Sequence, residues 1–392
     1  MLNIVNMFLT LLLYQGGGIF INKGMPHGNF VYLLSLLSVW LLPFSFLINQ
    51  GEKGLFAFLN ITLIVTVLIA LKTKNLFLFY VFFEFRIIPI TIMVFLFGYQ
   101  PEKLQAAFSL LIYTVVGSLP LLLCIVFMSI TMIRSTILTI PITLGFMIKT
   151  PIYLVHTWLP KAHVEAPVGG SIILAGVLLK LGSYGLLVFL PLVTMNGVLR
   201  FYLRVSMIGS TVASVICLRQ GDLKLLVAYS SVVHMGVVTL GFIRGRELGY
   251  SCAFIIVLAH GLSSPFLFAF AYWLYSTSHS RLILNNARTW PLLILWLFTL
   301  VSLNIGVPPR LTVWAEVLMS IRIIFLITSA WPIIMSIFLL GGAYNLYLYV
   351  SCIHCKGAVH IRSIDAISHI ALLQVAFLGY GSFLCLDLFH IS

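Results

Sequence analysis

The sequence contains few charged residues. Asp, Glu, Lys and Arg together make up only 8% of its 392 residues, whereas a soluble domain carries about 25%. This scarcity excludes a sizeable soluble domain, because such a domain needs charged groups over its surface. Hydrophobic residues make up 61% of the chain and fall in long runs of the kind that bilayer-spanning helices require. The composition therefore indicates a polytopic membrane protein.

Acidic residues are the scarcer of the two charged types. Nine Asp and Glu stand against 22 Lys and Arg, which gives a net charge of +13. In a soluble protein this excess would indicate nucleic-acid binding. Here most basic residues lie between apolar runs, as Lys72, Lys74, Arg200 and Arg204 do. Such positions set membrane orientation and contact lipid headgroups, so no nucleic-acid partner is expected.

Signals for nucleotide binding and nucleophilic catalysis are also missing. The three glycines at 16–18 are not followed by a phosphate-loop lysine, and no nucleophile elbow is present. Cys352 and Cys355, with His354 between them, could suggest a metal site. A zinc site normally needs a second ligand pair at set spacing, and an interfacial thiol pair is the alternative. The expectation is that this chain binds neither a metal nor a cofactor.

Apolar runs long enough for membrane spans follow one another along the whole chain. They predict about 12 to 14 helices in one all-α membrane domain over 1–392, since backbone groups in lipid must be satisfied within helices. The runs lie near 4–21, 29–48, 54–71, 76–97, 106–133, 138–158, 168–190, 199–218, 223–243, 250–276, 290–319, 323–352 and 366–388.

Two of these runs are interrupted by helix-breaking residues. The run 138–158 carries Lys149 close to Pro151, and the run 290–319 carries a Gly-Val-Pro-Pro sequence before Glu316. Paired broken helices in two halves of a chain are typical of inverted repeats with ion sites at the membrane midplane. The identity between the halves is too weak to establish the repeat from the pattern alone.

The informative ionisable residues are those in the middle of apolar runs, where a charge costs several kcal/mol, and six of them are candidates. They are Glu84, Lys149, Lys180, His234, His260 and Glu316. The two lysines lie about 15 Å from either end of their runs, beyond comfortable snorkelling reach. A lone histidine at such depth is often only a hydrogen-bonded packing residue. Two buried lysines and two buried glutamates in one bundle favour a proton or ion path.

These residue types suit a proton relay. The proton affinity of a buried lysine changes when a neighbouring carboxylate moves or is protonated, whereas an arginine stays charged. Histidine titrates nearest neutrality. Lys149 is the natural partner of Glu84, because Arg86 lies about 200° around the helix from Glu84 and does not face it. Arg86 needs a partner of its own.

Secondary candidates accompany the main set. Ser230 and Ser231 precede His234 by four and three residues and share its helix face. They form either a polar ridge where water lines up or a hydrogen-bonded packing cluster. His156 lies two turns after Lys149, on the same face if the helix stays regular.

The remaining charges are expected near helix ends. Asp222 and Lys224 lie between two runs and are expected in a solvated loop. Lys161, His163 and Glu165 follow a proline at which the helix is expected to have ended. Two roles stay open for these three residues, capping of the next helix and a proton exit.

Several long stretches resemble a known family. The chain contains WLPKAHVEAP at 158–167, LLKLGSYG at 178–185, CLRQGDLKLLVAYSSVVHM at 217–235 and AHGLSSPFLF at 259–268. Over roughly 76–320 it closely resembles the chain 4 family of mitochondrial NADH:ubiquinone oxidoreductase, respiratory complex I. Members of that family are antiporter-like, proton-pumping membrane subunits. The lysine of LPKAHVEAP favours the mitochondrial form over bacterial and cation-antiporter relatives.

The resemblance implies a fold. Two inverted five-helix repeats, each with a broken helix, would occupy 76–190 and 199–352, with flanking helices at 1–71 and 366–392. Fewer residues precede Glu84 than in the family, so one or two N-terminal helices are expected to be missing.

The resemblance also implies roles for the buried charges. Glu84 would be the carboxylate that pairs with Lys149, and Lys180 would be the central relay lysine. His234 and His260 would lie on a hydrated central axis. The terminal acid, on the second broken helix, would be Glu316.

The partners and cofactors implied are those of the complex. Quinone reduction elsewhere would drive the protons, with FMN, iron–sulfur clusters and ubiquinone held by other subunits. The partners would be neighbouring antiporter-like and other membrane-arm subunits and lipids, cardiolipin among them, in the mitochondrial inner membrane. A subunit of a cation/proton antiporter and a membrane scaffold with vestigial charges are the alternative functions.

Overall fold

The chain folds as a bundle of helices. The computed structural model describes residues 26–48, 54–98, 100–131, 138–192, 197–244, 246–278, 280–283, 291–307 and 311–354. Within these residues the helices are α1 Pro26–Ile48, α2 Leu55–Lys72, α3 Leu76–Phe85, α4 Ile87–Phe97, α5 Lys103–Thr131, α6 Thr139–Lys149, α7 Trp158–Glu165, α8 Val168–Ile173, α9 Leu179–Phe189, α10 Gly197–Leu218, α11 Leu223–Arg244, α12 Arg246–Ser278, α13 Pro291–Ile305, α14 Leu311–Leu326 and α15 Trp331–His354.

The prediction of an all-α membrane bundle is confirmed. In the described residues, β-pairing is limited to one isolated bridge between Asp222 and Leu282. Eight helical segments there are long and apolar enough to cross a membrane, and three shorter ones are apolar. The expected runs at 4–21 and 366–388 lie outside the described residues.

The first expected break occurs directly after Lys149, the last residue of α6. Pro151 cannot donate a backbone hydrogen bond to the preceding turn, and Leu154 has a φ of 87°, which a β-carbon makes unfavourable. The helix resumes as α7 at Trp158, whose indole nitrogen donates to the carbonyl of Ile148 at 3.2 Å. The expectation that the helix ends at Pro160 is therefore wrong. Pro160 lies in the first turn of α7, where a proline is tolerated.

A second interruption falls between α13 and α14. Gly306 follows α13 with a φ of 79°, a left-handed conformation that glycine adopts without steric cost. The adjoining prolines lie outside the described residues. Glu316 lies in the second turn of α14, so the acid follows the break closely.

The lysine-bearing helix lies at the centre of the bundle. Helices α8 and α9 form one continuous segment, joined by a π-helical turn at Leu174–Leu178. The apolar stretch within Val168–Phe189 is 94% buried, against 28% for the one within Thr328–Ile353 at the periphery. It packs against α1, α6 and α12. This placement surrounds Lys180 with protein on every side and leaves it 0% exposed.

Candidate proton relay

Glu84 and Lys149 form an ion pair between α3 and the broken end of α6. The ammonium of Lys149 donates to the two carboxylate oxygens of Glu84 at 2.9 and 3.1 Å. The lysine is buried and the glutamate is 17% exposed. The pairing expected from the sequence is confirmed, and each charge finds its partner 65 residues away along the chain.

The break after Lys149 leaves room around this pair. A cavity of about 30 Å³ is lined by Lys149, Arg86, Thr114 and Trp158. A space of this size holds one or two water molecules. On the other side, α9 comes so close that a β-carbon on Gly182 would lie 3.0 Å from the carbonyl carbon of Lys149. The break therefore leaves a water-sized space beside Lys149, while the backbone of Lys149 packs closely on α9.

Lys180 lies just beyond the π-helical turn. Its ammonium donates to the carbonyl of Ala175, which belongs to that turn. A π turn is often found at functional sites, and here it directs one of its own carbonyls at the lysine. Across the interface with α12, a β-carbon on Gly261 would lie 3.3 Å from the Cε of Lys180, so the lysine side chain packs against the residue that follows His260 in α12.

The second half of the chain contributes two histidines and an acid. The rings of His234 and His260 lie with their centroids 5.1 Å apart. Both residues line a cavity of about 10 Å³ together with Glu316. That volume holds about one water molecule. The structure therefore brings the three predicted residues to one small polar space.

The secondary candidates separate from the main set. His156 lies in the loop between α6 and α7, stacked on Tyr153 at 4.8 Å. The break removes the regular helix that would have placed it on the face of Lys149. Ser230 and Ser231 are buried and donate to the carbonyls of Val227 and Ala228 within their own helix. Because both hydroxyl groups already donate hydrogen bonds within the helix, the structure favours a hydrogen-bonded packing cluster over a ridge that lines up water.

A polar cleft lies at the end of α7, next to the residues for which the sequence left open helix capping and a proton exit. Glu165 is 3% exposed and lies 3.8 Å from Arg281. Burial raises the pKa of the Glu165 carboxyl, and the charges of Arg281 and Lys224 oppose this rise. The cleft has a volume of about 660 Å³ and reaches the exposed Lys161. It leads from the surface to buried charges.

The expectation of a solvated loop around Lys224 is wrong. Lys224 lies in the first turn of α11, is 8% exposed, and donates to the carbonyls of Val164 and Ala166 at 3.4 and 3.3 Å. These carbonyls belong to the C-terminal end of α7, where the helix dipole attracts a cation. The helix end therefore holds the lysine inside the protein.

Sequence reasoning also missed three neutral residues next to Glu316. Ser263, Asn304 and Thr312 line the same small cavity, and Asn304 donates to the side chain of Asn345 at 2.9 Å. Such side chains stand out only as polar positions within apolar runs, a signal that many packing residues share.

No group of His, Cys, Asp and Glu in the described part of the chain has the size of a metal site. Cys352 is buried in α15, and Cys355 lies outside the described residues. No metal is therefore assigned to them.

This arrangement, a helical bundle with broken helices and ionisable groups buried along it, is that of an antiporter-like membrane subunit. The sequence model of a family described as NADH:quinone oxidoreductase/Mrp antiporter matches residues 73–343. The chain belongs to this family.

Within the family, the chain is similar to curated proteins named NADH-ubiquinone oxidoreductase chain 4. The relative from Ceratitis capitata is 38% identical over 351 residues, which cover 83% of this chain and 78% of the relative. The one from Lumbricus terrestris is 37% identical over 355 residues, with coverages of 82% and 78%.

Two solved structures share the fold. Respiratory complex I from Thermus thermophilus with bound NADH contains a chain that matches with a TM-score of 0.75 and 19% identity, over 97% of this chain and 96% of that one. A chain of the Mrp complex from Dietzia matches with a TM-score of 0.78 and 18% identity, over 92% of this chain and 43% of that one. At these identities the likeness shows the fold alone.

Proposed function

We propose that six buried side chains of this protein form a relay that carries protons across the membrane. They are Glu84, Lys149, Lys180, His234, His260 and Glu316. The observation that carries the proposal is the ion pair of Glu84 and Lys149 at the break of α6. A broken helix that ends on a buried, paired lysine is destabilising. A role in proton transfer explains why the protein contains it.

The protein is a membrane-arm, proton-pumping subunit of NADH:ubiquinone oxidoreductase, respiratory complex I, and the antiporters are a related family. Other subunits of the complex are its partners. In our proposal the chain performs no redox step, since FMN, iron–sulfur clusters and ubiquinone are held elsewhere, and it lies in the mitochondrial inner membrane with cardiolipin among its lipids.

The relay works through changes in electrostatic pairing. When the pair of Glu84 and Lys149 opens, the field at Lys180 changes, and Lys180 takes up or releases a proton accordingly. The histidines pass the proton between their ring nitrogens, and Glu316 is the terminal acid. Moving one charge against the membrane potential costs about 2.3 kcal/mol per 100 mV, so quinone reduction in partner subunits must supply the drive.

The experiment compares Lys180→Ala and Glu316→Gln in the assembled complex, reconstituted into liposomes. The readout is protons translocated per NADH oxidised, with Glu102→Gln as a control because Glu102 is exposed. Both relay variants should lower the ratio and the control should not. Unchanged pumping in both relay variants would remove the relay and leave the scaffold as the function.

Co-purification separates the complex from an antiporter. Subunits that bind NADH and iron–sulfur clusters should accompany the tagged chain. A preparation in which the chain assembles stably without them would support the antiporter alternative.

A further inference from the structure

Arg86 is a buried cation that the six-residue relay does not use. It lies at the turn between α3 and α4 and is 3% exposed. The turn exists because Pro89 cannot donate to the carbonyl of Phe85, four residues earlier. A guanidinium inside an apolar bundle costs several kcal/mol unless other groups hold it. Its contacts therefore indicate what the charge is for.

The first contact is with the lysine-bearing segment. Arg86 Nη1 donates to the carbonyl of Leu178 at 2.9 Å, across 92 residues of sequence. Leu178 is the last residue of the π-helical turn. Ala175, in the same turn, accepts a hydrogen bond from Lys180. One π-helical turn thus holds two cations through two of its carbonyls.

The geometry of this turn sets the direction of Lys180. A π turn accommodates one extra residue, and each residue of an α-helix advances the chain by about 100° and 1.5 Å. If Leu174–Leu178 regained α-helical geometry, Lys180 would rotate by about that angle relative to α8. It would then no longer lie against Gly261 of α12. A hydrogen bond that holds the π turn therefore holds Lys180 in place.

The second contact is with the first ion pair. The guanidinium carbon of Arg86 lies 4.3 Å from the ring centroid of Phe83, and the ammonium of Lys149 lies 4.8 Å from the same centroid. The two cations are therefore at most about 9 Å apart, a separation at which charges interact appreciably inside a protein. Glu84 interacts electrostatically with both. Because arginine stays charged, the interaction of Arg86 with Glu84 does not depend on the protonation of Lys149.

We propose that Arg86 is a positioning residue of the relay, which couples the ion pair of Glu84 and Lys149 to Lys180 through the π-helical turn Leu174–Leu178. This inference rests on the proposed relay and adds a seventh residue to it. Arg86 transfers no proton. It gives Glu84 a fixed counter-charge on one side and holds the carbonyl of Leu178 on the other, so that a change at the pair is transmitted to the turn that carries Lys180.

The test uses Arg86→Met and Arg86→Lys in the reconstituted complex, with Arg204→Met as a control because Arg204 is exposed. Methionine keeps much of the volume but removes the charge and the donor, while lysine keeps both. Arg86→Met should lower the protons translocated per NADH to the level of Lys180→Ala, and the double variant should lie no lower. Arg86→Lys should recover most of the loss, and the control should pump normally.

A role in packing alone would give the opposite pattern, with normal pumping in Arg86→Met, and that result overturns the inference. Hydrogen–deuterium exchange of the peptide around 174–182 gives a second readout, which should rise in Arg86→Met. If methionine prevents assembly, Arg86→Gln takes its place. Loss of pumping in Lys180→Ala with normal pumping in Arg86→Met removes only the role of Arg86. Normal pumping in both Lys180→Ala and Glu316→Gln removes the relay itself.

Discussion

Lys149 donates to both carboxylate oxygens of Glu84, at 2.9 and 3.1 Å, from the last residue of a helix that ends inside the bundle. The bond joins α6 to α3, and Lys149 also lines a cavity with room for water.

This pair predicts a non-additive double-mutant cycle. Removing one partner from a buried pair leaves an uncompensated charge and costs about 3–5 kcal/mol. Glu84→Gln and Lys149→Met should each lower the thermal inactivation midpoint of the complex, and Glu84→Gln/Lys149→Met should lower it less than the sum of the two. Additive losses would show that the two side chains do not interact in the assembled protein.

The close packing of α9 on the end of α6 predicts that Gly182→Ala is destabilising. The added β-carbon would meet Lys149 and Thr150 at 3.0 to 3.1 Å, and overpacking of this kind costs about 1–3 kcal/mol. Gly342→Ala is the matched control, since its β-carbon meets nothing within 4 Å. Thermal denaturation of the purified complex measures both. Equal midpoints for the two variants would contradict the contact between α9 and α6.

The turn before α14 predicts that an alanine substitution there affects proton pumping as well as stability. Gly306 and Gly54 both have positive φ, so alanine at either position is strained by about 1–3 kcal/mol. Only at Gly306 does the new β-carbon approach Glu316, 3.5 Å from its carboxylate oxygen. Gly306→Ala should reduce protons translocated per NADH, whereas Gly54→Ala should affect stability alone. Equal pumping ratios in the two variants would show that Glu316 is not sensitive to this turn.

The cleft at the end of α7 predicts the direction of a titration. Burial raises the pKa of the Glu165 carboxyl, and Arg281 works against that rise. In Arg281→Gln the opposing charge is lost, so the pKa of Glu165 should rise further and the carboxyl should keep its proton to higher pH. The infrared carbonyl band of the protonated acid, identified by its loss in Arg281→Gln/Glu165→Gln, reports this. A band that disappears at lower pH than in the unmodified chain would contradict the assignment.

The class of protein and most candidate residues follow from the sequence alone. Long apolar runs require helices that satisfy their own backbone groups, and an ionisable residue in mid-run is costly wherever the helix packs. Glu84, Lys149 and Lys180 are recognisable for that reason. The pairing of Glu84 with Lys149 was also predictable, since each of two opposite buried charges needs a partner and few are available.

Tertiary structure decided where the polar contacts between distant segments fall. Lys224 and Glu165 resemble loop residues in the sequence, yet both are buried because the end of α7 packs on the start of α11. Arg86 finds the carbonyl of Leu178 across 92 residues, and the π turn that offers it has no signature in an apolar run. The hydrophobic effect favours removing an apolar side chain from water, whether it enters lipid or the protein interior. The sequence therefore determines which residues leave water. Only the packing of the helices determines which groups those residues contact.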